Sequence, residues 1–226
     1  MDDPLDNPAL AALTGPHAHF AERYGTAVRY RPQVTSLSAF PTDPDAAAWA
    51  DLAALHGPGR TVVVNGSVRV PPDGWELSWS SDCLQLDGTA VVPVGSLDDV
   101  LVLGPDDVPD MVDLVERTRP GPFRKGTATM GTYVGVRRGG RLIAMAGERL
   151  RPAGWSEISA VCTDPAHRGQ RLATRLVGAL VAAVRDRGER PFLHVSLSNT
   201  TAIRLYEHMG FHPIRQIRFA GMRTPA

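Results

Sequence analysis

The sequence predicts an α/β fold that joins a parallel strand–helix–strand unit to an antiparallel hairpin, and three observations carry that prediction. Trp155 to Ala183 reads as a strand, a tight basic turn and a long helix, and a second strand follows at Phe192 to Leu197. Tyr133 to Arg137 and Arg141 to Leu150 read as two strands around Arg138-Gly139-Gly140, a hairpin turn in which glycine supplies positive φ. Shorter helical and strand-like stretches alternate through the first hundred residues. A strand–helix–strand unit makes its two strands parallel with a right-handed crossover, while the hairpin adds antiparallel neighbours.

In order along the chain, Pro8 to Leu13 and His17 to Arg23 read as short helices broken at Gly15-Pro16. Ala27 to Tyr30 reads as a strand, and Asp45 to His56 as a helix capped by Asp45, with Ala48, Leu52 and Leu55 on one face. Gly57-Pro58-Gly59 ends it, and Arg60 to Val64 is a β-branched strand. Trp75 to Trp79 and Cys83 to Leu86 alternate weakly as two further strands. His17 and His19 lie two apart on the expected helix and face different ways, so a shared metal is not expected. Trp49, Trp75 and Trp79 are read as core, with one of them lining an acceptor pocket as the alternative. From Val100 a strand, a helix over Val108 to Arg117 and a rigid Pro120-Gly121-Pro122-Phe123 loop precede the hairpin. A last pair of strands is expected around Pro213 to Met222, and no internal repeat is evident by eye.

The central stretch carries the chemistry. Asp164 and Pro165 stop the strand Glu157 to Thr163. Leu172, Leu176, Leu180 and Val184 then recur at helical spacing, with Arg171, Arg175 and Arg185 off that face. The turn between them, His167-Arg168-Gly169-Gln170-Arg171, is basic and opens a helix. Unpaired N–H groups, the positive end of the helix dipole, a glycine and flanking arginines together suit a pyrophosphate. A solvated basic turn is the plainer alternative.

Arg168-Gly169-Gln170-Arg171-Leu172-Ala173 resembles the pyrophosphate-binding motif of the GNAT superfamily, the acyl-CoA-dependent N-acyltransferases, Gln/Arg-x-x-Gly-x-Gly/Ala after a strand. Asn199-Thr200-Thr201-Ala202-Ile203-Arg204-Leu205-Tyr206-Glu207-His208-Met209-Gly210-Phe211 is similar to that family's Asn-x-x-Ala-x-x-Leu-Tyr-Glu-x-x-Gly-Phe signature. Arg171 stands where the family has its central glycine, and donates its amide there if it keeps a helical φ. The resemblance implies a GNAT fold over residues 98–226, an α/β (α+β) fold with a mixed, mostly antiparallel twisted sheet and a central parallel βαβ acyl-CoA site, preceded by a degenerate GNAT-like half over 1–97, a layout similar to the glycine N-acyltransferase-like branch. It implies acetyl-CoA as cosubstrate, held by Val161, Cys162, Thr163, His167, Arg168, Gly169, Gln170, Arg171, Leu172, Ala173, Thr174, Asn199, Ala202 and Tyr206. Phe123 and Arg124 would border the acceptor, with an ordinary exposed turn as the alternative.

Removing a proton from a lysine-like amine at neutral pH costs roughly 4–5 kcal/mol, and from an α-amine about 1 kcal/mol. Glu157 lies eleven positions before Arg168, a spacing that resembles that of the general-base glutamate in GNAT histone acetyltransferases, and the resemblance implies Glu157 as general base, with Glu148 second and an ion pair with a nearby arginine as the alternative for Glu157. The signature around Tyr206 implies that its phenol hydrogen-bonds the departing thiolate, with a packed helix tyrosine as the alternative. Cys162 is not expected to be a nucleophile, since no partner histidine is apparent. A coenzyme-binding sensor without turnover is the rival to an N-acetyltransferase acting on an amine-bearing small molecule or peptide.

The bulk properties agree. Lys and Arg number 24 against 24 Asp and Glu, and no basic block points to nucleic acid. Cys83 and Cys162 make no disulfide framework and no Cys/His spacing suggests a metal, which fits a reducing cytoplasm. The first residues lack the pattern of a signal peptide, and no apolar run reaches membrane-spanning length. A homodimer is expected as a possibility that the resemblance raises.

Overall fold

The structure, a computed structural model, describes residues 3–66, 71–93 and 97–226; the parts of the predicted N-terminal half at 1–2, 67–70 and 94–96 lie outside the described residues. The first half runs α1 (Pro8–Leu13), β1 (Ala21–Tyr24), β2 (Ala27–Tyr30), β3 (Leu37–Ala39), α2 (Ala46–His56), β4 (Thr61–Gly66) and β5 (Glu76–Asp87). The second runs β6 (Leu101–Leu103), α3 (Val108–Thr118), β7 (Tyr133–Arg138), β8 (Arg141–Glu148), β9 (Trp155–Thr163), α4 (Leu172–Asp186), β10 (Arg190–Ser196), α5 (Thr200–Met209) and β11 (His212–Arg223). The described strands form one sheet in the order β1-β2-β3-β4-β11-β5-β10-β9-β8-β7-β6.

A repeat that the sequence hides is plain in this topology. Each half has a helix, three antiparallel strands, a helix, then two strands. β3 pairs β4 in parallel across α2, and β9 pairs β10 in parallel across α4. The last strands are exchanged: β5 of the first half lies beside β10, and β11 of the second lies beside β4. β5 and β11 pair antiparallel along most of their length, where the halves meet. The two halves are thus interleaved in the sheet.

Several elements differ from expectation for local reasons. Ala18–Phe20 is a single 3₁₀ turn and Ala21–Tyr24 is a strand, because those residues pair with β2. β3 goes unpredicted because it is three residues long. The two weak strands at 75–79 and 83–86 are one, β5, continuous through the polar Ser80-Ser81-Asp82 because β11 pairs with those three residues as well. Likewise the expected last pair is the single strand β11, which takes Pro213 at a register irregularity. The β7–β8 hairpin closes on Gly139 and Gly140 with φ of 56° and 81°, the two positive values that a two-residue turn needs.

Packing follows the patterning. Leu172, Leu176, Val177, Leu180, Val181 and Val184 of α4 are buried against Val134, Ile143, Ala146, Ile158 and Leu193 of the sheet. α3 buries Met111 and Leu114 with Tyr133, Leu142, Met145 and Cys162. α2 buries Ala48, Trp49 and Leu52 on Val62, Val64, Ala220 and Met222, so the second half's last strand helps form the first half's core. No described helix is long and apolar enough to cross a membrane.

Candidate active site

Where β9 leaves β10, the sheet opens. The two strands pair from Trp155↔Arg190 to Ile158↔Leu193 and no further. The cause lies in β9. Its pairing with β8 slips between Gly147↔Ser159 and Met145↔Cys162, and Ala160 sits in this bulge with φ of 52°. A non-glycine residue there stores strain and bends the strand. Residues 159–163 therefore keep β8 as a neighbour but have no β10 ladder on their other edge.

A cavity of about 330 Å³ fills this gap. Ser159, Ala160 and Val161 line one side, and Val195, Asn199, Ala202 and Tyr206 another. A third side comes from the first half and the exchanged strands, Thr35, Ser36, Leu37, Val63, Trp79, Ser81, Cys83 and Phe219, and more of the lining from the loop 120–123 and from Tyr133, Arg149 and His194. Asn199 caps α5, its side-chain oxygen accepting from the Ala202 amide at 3.1 Å. Tyr206 is buried, and burial pushes its phenol up to about 12. Phe123 lines the cavity with its ring edge-on to Tyr133 at 5.7 Å, whereas Arg124 is spent on the Pro32 carbonyl.

The basic turn follows β9 directly. Asp164 accepts from the Ala166 amide at 3.0 Å and is held by Arg117 of α3, which fixes the end of the strand. Gly169 has φ of 78°, and nothing lies within 4 Å of where its Cβ would be. Arg168, Gly169, Gln170 and Arg171 are exposed. Arg171 corrects the helical φ expected of it: it is the N-cap of α4 in the left-handed conformation, φ 56° and ψ 21°, with no side-chain cap bond. It takes the backbone form that glycine adopts freely, at a cost of about 1–2 kcal/mol. The first amides of α4 at Leu172, Ala173 and Thr174 are the donors that a helix start leaves over. His167 ends the preceding 3₁₀ turn beside Asp164 at 3.8 Å. Cys162 is buried on the α3 side of the sheet, and burial pushes its thiol up; Thr163 pairs with Ala144.

Below the cavity lies a buried polar chain. Glu157 is fully buried and makes two bonds to Arg149, from Nε at 2.9 Å and from Nη2 at 2.6 Å. It also accepts from the Leu150 amide at 3.2 Å and meets His194 Nδ1 at 2.6 Å. His194 Nε2 accepts from Gln85 Nε2 at 3.1 Å, and that amide also donates to the Leu5 carbonyl. Burial alone would raise the Glu157 carboxyl, but the Arg149 guanidinium and the His194 ring hold it well below the usual carboxylate range. Arg149 and His194 line the cavity; Glu157 is behind them. Glu148 is equally occupied, bonded to Ser156 at 2.5 Å and paired with Arg187. The geometry thus gives Glu157 the ion pair that the sequence left as its alternative role.

Reading the sequence missed Arg149, His194, Tyr133 and Phe219 as cavity residues. The signal was present for two of them: Arg149 directly follows an apolar strand, and His194 interrupts another. Of the three tryptophans read as core, Trp49 is buried and Trp79 lines the cavity. No group of three His, Cys, Asp or Glu placed to hold a metal is found among the described residues.

Known proteins share this fold. A family model described as FR47-like protein matches residues 133–220. A protein from Novosphingobium aromaticivorans, assigned to the GNAT family as an acetyltransferase, has 37% sequence identity with full coverage of both chains and a TM-score of 0.90. The chain belongs to the GNAT family of acetyltransferases. A GCN5-related N-acetyltransferase from Kribbella flavida shares the fold at 14% identity, with 96% of this chain and 94% of that one covered and a TM-score of 0.67. A GCN5-related N-acetyltransferase-like protein from Streptococcus suis does so at 13% identity, 93% and 92% coverage and a TM-score of 0.59. No curated protein matches the sequence.

Proposed function

We propose that this chain is an N-acetyltransferase that passes an acetyl group from acetyl-CoA directly to an amine. The observation that carries this reading is the opening of β9 from β10 beyond Ile158↔Leu193, immediately before an exposed basic helix start. The diphosphate lies against the amides of Arg168 to Ala173, with Gly169 leaving room for it. The pantetheine arm takes the β10-side edge of Val161 and Thr163 as an added strand. Asn199 and Ala202 border its end.

The amine lone pair forms the new C–N bond, the C–S bond breaks toward sulfur, and the amine proton leaves to water. Tyr206 serves the departing sulfur by a hydrogen bond. With the phenol near 12 and a thiol near 8.5, full proton transfer would cost about 5 kcal/mol, so Tyr206 donates without giving up its proton. Glu157 acts on Arg149 and His194 in this scheme and is a positioning residue. Its carboxylate is too strongly held to accept the proton at neutral pH.

Thiol release from acetyl-CoA with a panel of amines tests the reading. Tyr206→Phe should lower kcat by about 10–100-fold, the worth of one hydrogen bond to a developing anion, with acetyl-CoA KM little changed. A second reading is a coenzyme sensor without turnover. It is favoured by the fact that both carboxylates near the cavity, Glu157 and Glu148, are engaged elsewhere. Coenzyme binding with no thiol release from any amine would decide for the sensor.

A further inference from the structure

The acceptor side of the cavity has a chemistry of its own. The described residues that line it include no aspartate or glutamate. Its formal cation is Arg149, whose guanidinium lies over the Phe219 ring at 5.5 Å. Glu157 takes Nε and Nη2 of that guanidinium, and no contact among the described residues uses Nη1. The plane of Arg149 is therefore set by Phe219 and Glu157 before any ligand arrives. Tyr133 supplies a second donor. It is 2% exposed, it lines the same cavity, and its phenol oxygen has no hydrogen-bond partner. An unpartnered buried hydroxyl is costly, and a ligand that accepts from it removes the cost. The ring is held in place by room made for it: a Cβ on Gly147 would lie 2.1 Å from Tyr133. Trp79, Phe123, Tyr133 and Phe219 make the rest of this wall aromatic.

We propose that the acceptor is a primary amine carrying a carboxylate beside a bulky apolar side chain, with Arg149 and Tyr133 receiving the carboxylate and the aromatic wall receiving the side chain. This rests on the acyltransferase reading above and narrows it. A polycationic amine would enter a wall with no carboxylate to meet it and an arginine to repel it. A carboxylate finds two donors already oriented. Pairing it with Arg149 also weakens its hold on the neighbouring ammonium proton, so the amine is released for attack without a strong base. A small amino acid satisfies Arg149 but leaves the aromatic wall wet.

The test is thiol release from acetyl-CoA with phenylalanine, phenylalaninamide, glycine and spermidine, alongside calorimetric titration of acetyl-CoA. The expected result is a kcat/KM for phenylalanine at least about tenfold above both phenylalaninamide and glycine, with spermidine lowest. Tyr133→Phe should raise the phenylalanine KM about fivefold or more, leave the acetyl-CoA KM alone and leave the melting temperature equal or higher. Arg149→Lys keeps a cation for Glu157 and should erase the preference for phenylalanine over its amide. Preference for spermidine or phenylalaninamide, or glycine equal to phenylalanine, overturns the acceptor proposal while the enzyme reading stands. Unchanged phenylalanine KM in Tyr133→Phe overturns the assigned carboxylate site even if Arg149→Lys fails to fold. Coenzyme binding with no thiol release from any of the four overturns the enzyme reading and the acceptor with it.

Discussion

The two parallel crossovers of this sheet, β3–α2–β4 and β9–α4–β10, begin alike and end differently. Both place a helix start at the carboxyl end of a strand whose parallel partner lies beside it. In the first, the turn is Phe40-Pro41-Thr42-Asp43-Pro44, and the helix is capped by Asp45, which accepts from the Ala48 amide at 2.8 Å. A carboxylate already occupies the place of an anion. In the second, the turn is basic and Arg171 caps nothing with its side chain. Beyond β3 and β4 is a hollow of about 20 Å³, room for one water. Beyond β9 and β10 is one of about 330 Å³. A crossover is only a frame, then; the bulge at Ala160, the glycine at 169 and the uncapped amides turn one copy into a cleft. The first copy has become a wall of the other's cavity through Thr35, Ser36 and Leu37, and through β5.

The largest effect should come from separating the halves. Deleting residues 1–97 removes β4 and β5, both neighbours of β11, and one neighbour of β10. The fragment 98–226 should show no cooperative melt and little solubility. A soluble, cooperatively melting fragment would mean that the halves are independent units.

Next is the polar chain under the second crossover, which reaches Gln85 and Leu5 of the first half. Arg149→Met leaves the Glu157 carboxylate buried with its charge uncompensated, which should cost about 3–5 kcal/mol in chemical denaturation. A loss under 1 kcal/mol would mean that Glu157 reaches water.

The contact between halves at His17 should make stability depend on pH. His17 bonds Tyr30 at 2.9 Å and the Met130 carbonyl at 3.1 Å, across 113 residues. Burial, foremost, lowers its pKa from 6.5 to about 4. As pH falls through 6.5 the unfolded ring takes up a proton while the folded ring stays neutral until about 4. Stability contributed by the neutral ring is therefore full above pH 6.5 and lost between there and about 4, by at most about 3 kcal/mol. His17→Gln should flatten that slope; an unchanged slope would place the titration elsewhere.

Smallest is Arg171→Gly. It relieves a left-handed φ but frees the unfolded chain, so thermal stability should rise by less than about 1 kcal/mol. A clear loss would mean that the arginine side chain, not the backbone, holds the turn.

Much of the second half was legible because its signals are local. The α4 stripe, the Gly139-Gly140 turn and the Asn199 cap each declare themselves within a few residues. The cleft's aromatic wall was not, because it is made by pairing over long distances. Nothing near Trp79 or Cys83 says that β5 lies between β10 and β11, and nothing near Phe219 says that it stacks on Arg149. The repeat escaped for the same reason: it is preserved in the order of elements and in the pairing, while the turns that would mark it have diverged. Arg171 misled because residue type argues against a left-handed φ that the surrounding turn imposes.

The central claim is that one crossover of the two accepts the coenzyme. Calorimetric titration of the full chain with acetyl-CoA measures it directly. The account predicts one equivalent bound per chain, with binding lost when Gly169→Asp puts a carboxylate in the turn. No binding, two equivalents, or one equivalent indifferent to Gly169→Asp would contradict it.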